Sequence, residues 1–188
     1  RKIIFLFPLL IYLISALVGC TSSQERRILV VHSYEETYAA YPEFNRLIAK
    51  QFKKEGVNAD IRTLYLDCES YKEETELKRM RYLLDSVSGD WRPEVILVNE
   101  DQATYSLLKC GDPLVKEVPV VFAGVNYPNW ELLKQYPNAT GFHDKIGFVQ
   151  NAEMARKLFG DSVRLFTLLD STFLDVQIRK DARKQLAG

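Results

Sequence analysis

The chain has 188 residues, is 47% hydrophobic and 27% charged, and carries 25 basic against 25 acidic side chains. That composition is globular, not disordered, and its length accommodates one ordinary domain and the start of another. Balanced charge without a basic stripe excludes a nucleic-acid binder, and neither an internal repeat nor a low-complexity segment is present.

Residues 1–20 stand apart. Arg1-Lys2 precedes an almost wholly apolar run from Ile3 to Val18, and Leu-Val-Gly-Cys closes it at residues 17–20. A basic start, an apolar stretch and a small residue before a cut form a secretory signal. Its ending resembles the lipobox of bacterial lipoproteins, which makes Cys20 the lipidated residue. The alternative is an uncleaved membrane anchor, although the run is shorter than the ~20 residues of a comfortable span and contains Pro8. Either reading places the remainder on the periplasmic side of a bacterial membrane, tethered to it. Residues 21–26 then form a short linker.

Arg27–Tyr34 reads as a buried strand. Tyr41–Gly56 reads as a helix, with Pro42 in its first turn, Gly56 as its stop, and Phe44, Leu47, Ile48 and Phe52 on one face. Asn58–Cys68 is a second strand anchored by Ile61, Leu64 and Leu66. Lys72–Gly89 is a charged amphipathic helix with Leu77, Met80, Leu83, Leu84 and Val87 turned inward. Pro93–Glu100 is a third strand, Asp101 caps a helix that begins the next segment, and Val118–Val125 is a fourth strand.

Strands that alternate with helices predict an α/β fold, a doubly wound parallel sheet of order 2-1-3-4. Continuous apolar strands fit a sheet covered on both faces. Beyond Val125 the pattern changes: residues 126–147 are aromatic and turn-rich, 148–162 form a helix, 163–172 a fifth apolar strand, and the remainder another helix. The expected division is a first lobe over 27–140, then a crossover and an incomplete second lobe over 141–188, the rest of which is cut off or supplied elsewhere. Cys68 and Cys110 fall on opposite edges of such a sheet, too far apart for a disulfide, and are read as free, mostly buried thiols.

In open parallel sheets ligands sit beyond the carboxyl ends of the strands, near the switch in strand order. The first strand ends in His32, Ser33 and Tyr34; the third in Asn99 and Glu100; the fourth in Gly124 and Asn126. The crossover carries His143 and Asp144, and the fifth strand ends in Asp170 and Ser171. These compact hydrogen-bonding groups suit a small polar molecule. Ser33 as a nucleophile lacks a G-x-S-x-G elbow, and His32, its neighbour on a strand, points to the opposite face. Two histidines without metal-ligand spacing argue against a metal site, and no Gly-rich turn follows the first strand to hold phosphate. His32 remains open between a structural role and cleft lining. Tyr38 and Tyr41 fit rim packing as well as contact, Gly124 fits a turn needing positive φ, and Trp130 packs its loop or caps the cleft.

The segments "ILVVHSY", "PEVILVNEDQAT", "VPVVFAGVN" and "NATGFHD", followed by "AEMARKLFGD" and "VRLFTLLDST", together resemble the type I periplasmic-binding-protein fold. They look most like its ABC-transporter substrate-binding branch, in versions used as extracytoplasmic sensor domains of histidine kinases, including hybrid two-component proteins. The resemblance implies binding without turnover; no cofactor and no metal are expected. Its ligand would be a small polar or aromatic metabolite, and its partner a histidine kinase or a permease, with homodimerisation a further option. It carries the ligand-contact role onto the eleven strand-end and crossover residues named above. The alternatives are a small exported hydrolase using Ser33 and a non-binding scaffold lobe.

Overall fold

A computed structural model describes residues 24–169 and 171–187. The expected signal or anchor with Cys20, and Asp170, lie outside the described residues. Five parallel strands form one sheet of order β2-β1-β3-β4-β5: β1 Arg26–His32, β2 Ala59–Tyr65, β3 Val95–Asn99, β4 Val120–Val125 and β5 Ala139–His143. The helices are α1 Tyr41–Lys54, α2 Glu73–Ser88, α3 Asp101–Lys109, the single turns α4 Leu114–Glu117 and α5 Trp130–Leu133, then α6 Phe148–Phe159 and α7 Phe173–Leu186.

β1 is interior to the sheet because both of its faces are apolar. Ile28, Leu29, Val30 and Val31 are all buried, in register with β2 on one side and β3 on the other. Pleating sends alternate residues to opposite faces. Leu29 and Val31 join the main core with Ile96, Val98, Met80 and Leu107, beneath α2 and α3. On the other face His32 stacks against Tyr41 and meets Phe44 of α1 edge-on. That face has a thinner cover: Phe44 and Leu47 remain partly in solvent.

The expected order 2-1-3-4 is extended by a fifth strand at the β4 edge. The boundary expected between residues 140 and 141 therefore falls inside β5, which belongs to the first sheet. Gly141 explains both why this strand exists and why its pattern is weak. A Cβ there would lie 2.0 Å from the Phe122 carbonyl oxygen, so only glycine permits β5 to close on β4, where the register breaks between Phe122 and Val125. A glycine within five residues also erases the strand signal.

Residues 163–169 form no strand. A strand needs a ladder partner, and this segment has none among the described residues; Phe166 is 90% and Leu168 99% exposed. α6 and α7 nevertheless pack together. The Gln185 side chain donates to the Ile146 carbonyl at 3.1 Å and accepts the Phe148 N–H at 3.3 Å. Cys68 and Cys110 are free and buried. Among the described residues no helix is long and apolar enough to cross a membrane, and no group of three or more His, Cys, Asp or Glu side chains is placed to hold a metal ion.

Candidate ligand cleft

The carboxyl ends of β1 and β3 are joined by a buried polar framework. His32 is fully buried, and its Nε2–H faces Asn45 Oδ1 at 2.8 Å while Nδ1 faces Asn99 Nδ2 at 2.9 Å. With both nitrogens engaged, the ring is the neutral Nε2–H tautomer, and desolvation holds its pKa below the usual histidine value despite the bond to Asn45. Ser33 is equally buried. Its hydroxyl donates to the Asn99 carbonyl at 3.0 Å and accepts the Ala103 N–H at 2.9 Å. Ser33 is expected to line the cleft and His32 either to line it or to serve the fold; both pin β1 to α1, β3 and α3. Their hydrogen-bonding capacity is spent within the protein, so neither reaches a ligand in this conformation. The expected strand alternation holds: His32 bonds to α1 and Ser33 to α3.

Glu100 stands where β3 meets α3, with φ 74° and ψ 169°. This backbone region is essentially reserved for glycine, and holding another residue there costs about 1–3 kcal/mol. The conformation is fixed from several directions. The Glu100 N–H donates to the Ala123 carbonyl at 2.8 Å, its own carbonyl receives the Thr104 hydroxyl at 2.6 Å, and Tyr41 donates to its Oε2 at 2.8 Å. Tyr41 in turn accepts the Tyr34 N–H at 3.0 Å. Desolvation raises the Glu100 pKa, against bonds from Tyr41 and Ser33 that lower it. Gly124, at φ 67°, has the left-handed conformation expected of it, and the Glu100 side chain lies 3.5 Å from where a Cβ would be.

Asp101 does not cap α3 with its side chain; Glu100 occupies the cap position without a side-chain bond. Asp101, almost fully buried, reaches across to β4 and accepts the Asn126 N–H at 2.9 Å and the Tyr127 N–H at 3.0 Å. It thereby shapes the loop that carries Asn126. Trp130 is half exposed and sets its ring edge-on to His143.

A cavity of about 390 Å³ opens beside this framework, between the β1 and β2 ends, the first turns of α2 and α3, and residues 171–175. Of the expected contact residues, Tyr34 and Ser171 line it. Asn99 and Glu100, at the β3 end, do not, nor do Gly124, Asn126, His143 and Asp144, which lie at the ends of β4 and β5 on the far side of β3. Sequence reasoning missed Cys68, Tyr71, Glu76 and Gln102, which do line it. Glu76 was detectable in principle: it stands four residues before Met80, which stands four before Leu84, so helical spacing puts a carboxylate on the inward face of α2. Burial, then Glu73 beside it, push Glu76 up to about 7 against the opposing charge of Lys109. Burial, then Glu76, raise the Cys68 thiol to about 12, which leaves it an inert wall and not a nucleophile.

Solved structures share this fold. A conserved domain protein from Vibrio cholerae O1 biovar El Tor matches with a TM-score of 0.65 at 16% identity, over 86% of this chain and 53% of its own. The ligand-free, open form of a Clostridium difficile substrate-binding protein with adhesive properties matches with a TM-score of 0.57 at 13% identity, with the same coverage. The lac repressor dimer bound to operator and an anti-inducer matches with a TM-score of 0.50 at 16% identity, over 94% of this chain and 55% of its own. At these identities the likeness is one of fold alone. The chain spans about half the length of these structures. No family model matches it, and no curated protein does.

Proposed function

We propose that this chain binds a small metabolite in the cleft at the carboxyl ends of β1 and β3, as part of an exported receptor, without chemical turnover. The observation that carries the reading is Glu100: a strained, non-glycine residue held by bonds from two sides at the switch in strand order. Such strain is tolerated where a site needs a fixed geometry. The adjoining 390 Å³ cavity falls in the size range of small-ligand pockets, and the fold is shared with a substrate-binding protein.

Residues 1–20 support export and tethering at the periplasmic side, through lipidation at Cys20 or an uncleaved helix. The sensor-type segments named above support coupling of ligand occupancy to a histidine kinase, with a permease as the other partner.

The test is a thermal-shift screen of the full chain against amines, amino acids, sugars and nucleosides. A ligand that binds the folded state alone raises the melting temperature as its concentration passes Kd. The expected result is a hit that Tyr34→Ala weakens. A screen without any hit overturns the reading.

A further inference from the structure

We propose that the cavity beside Tyr34 is selective for a cationic amine, which its Glu76 carboxylate and Gln102 side-chain carbonyl bind together. This deepens the binding reading above and rests on it.

Two buried acceptors at this wall have no donor among the described residues. They are Glu76 Oε1, on a residue only 7% exposed, and Gln102 Oε1. A buried acceptor without a partner forfeits its solvation, and an ionised one forfeits more. Both residues line the 390 Å³ cavity and the smaller recess of about 110 Å³ that adjoins it. A single N–H-rich cation placed between them would satisfy both.

The surrounding charge favours the same occupant. Glu69, Glu73 and Asp175 line the cavity with Glu76, against Lys72. Lys109, the cation whose charge favours ionised Glu76, is held by Glu73 Oε1 at 2.7 Å. The first turns of α2, α3 and α7 meet here, and helix N-termini ordinarily attract anions. Each of these first turns already carries its own carboxylate: Glu73 and Glu76 in α2, Asp101 in α3, Asp175 in α7. A ligand carboxylate would be repelled where an ammonium is attracted. The rings of Tyr34 and Tyr71 in the wall suit an apolar or aromatic body behind the amine.

The experiment is titration calorimetry at pH 8 on the full chain in detergent. The probes are tyramine and putrescine, their uncharged counterparts 4-ethylphenol and 1,4-butanediol, and zwitterionic tyrosine. At least one amine is expected to bind tenfold or more tightly than its counterpart and than tyrosine. Glu76→Gln is expected to erase that preference, and Gln102→Met to reduce it, with near-UV circular dichroism showing both variants folded. Equal binding of amine and counterpart, tighter binding of tyrosine, or a preference that survives Glu76→Gln overturns the amine assignment. If the broad metabolite screen still finds a ligand that Tyr34→Ala weakens, the binding reading stands without it. If neither probes nor screen yield a ligand, both fall.

Discussion

Tyr41 donates its hydroxyl proton to Glu100 Oε2 at 2.8 Å and, with the same oxygen, accepts the Tyr34 N–H at 3.0 Å. One side chain at the start of α1 thus ties the β1 exit to the β3–α3 junction. Tyr41→Phe keeps the ring that stacks on His32 at 3.8 Å but leaves the Tyr34 N–H and the carboxylate without this partner. The expected loss is about 1–3 kcal/mol, measured by urea unfolding. Because the bond to Tyr41 lowers the Glu100 pKa, the variant should also raise it further. A variant as stable as wild type would show that water replaces the hydroxyl at no cost.

The backbone of Glu100 makes a second, unusual prediction. Glycine normally destabilises a site relative to alanine by roughly 0.5–1 kcal/mol. At φ 74° and ψ 169° the order should invert. Glu100→Gly and Glu100→Ala both lose the bond to Tyr41, but only glycine relieves the backbone. Glu100→Gly should therefore be the more stable of the two by about 1–3 kcal/mol in parallel denaturant melts. Alanine equal to or above glycine would mean that the junction relaxes out of this conformation.

Much of this architecture was legible in the amino acids, and the exceptions share a cause. β1, β3 and β4 are interior to the sheet, so each writes itself as an apolar run such as Ile28–Val31, whereas β2, at the edge, shows only anchors such as Ile61 and Leu64 between polar residues. β5 is an edge strand whose central residue must be glycine, and nothing local distinguishes it from a turn. Residues 163–169 have the opposite property: a strand-like composition without a neighbour to pair with. At the site, proximity to strand ends points to polar groups, but it does not tell lining from framework. His32 and Ser33 sit one or two residues before Tyr34, and that offset separates full burial from contact with the cavity. Glu76 and Gln102 arrive from helices, so a search confined to strand ends passes over them.

Gly141 tests the closure of β5. Gly141→Ala would put a methyl group 2.0 Å from the Phe122 carbonyl oxygen and 2.7 Å from its ring. Backbone yields less readily than a side chain, so the expected cost is at or above the ~1–3 kcal/mol of ordinary overpacking. Amide exchange should accelerate selectively in β5 and at its β4 partners Val121 and Phe122, while β1 and β3 stay protected. Uniform loss of protection, or no change, would contradict an edge strand that depends on this glycine.

Asp101 offers a test of loop placement. Asp101→Ala removes the acceptor for the Asn126 and Tyr127 N–H groups and should cost about 1.5–3 kcal/mol or more, since both bonds go to a charged group. Limited proteolysis should then cut within residues 126–138 sooner than in wild type. If Asp101 acted only as a helix-start residue, Asp101→Ser would restore stability; the cross-strand geometry predicts that it does not.

Glu76 supplies the pH dependence. Its folded pKa of about 7 lies above the ordinary 4.5 because burial, then Glu73, disfavour the charged form. The folded chain therefore binds more protons than the unfolded chain between these values. Glu76 contributes its full stability below pH 4.5, and this contribution is lost as pH rises through 7. The difference amounts to ~1–3 kcal/mol, or several degrees of melting temperature for a chain of this length. Glu100, also raised, acts in the same direction. His32, lowered by burial, acts in the opposite one, favouring the fold above pH 6.5 and losing that advantage on acidification. The clean quantity is thus the difference between wild type and Glu76→Gln, in which both of those contributions cancel. Measured without ligand from pH 4 to 8, it should shift in favour of the variant as pH rises, with its midpoint between 4.5 and 7. A bound amine should remove the Glu76 part of the wild-type slope, because it supplies the positive charge that favours the ionised carboxylate. A flat difference across this range would mean that Glu76 titrates alike in the folded and unfolded chains, and would remove the electrostatic reason for a cation at this wall.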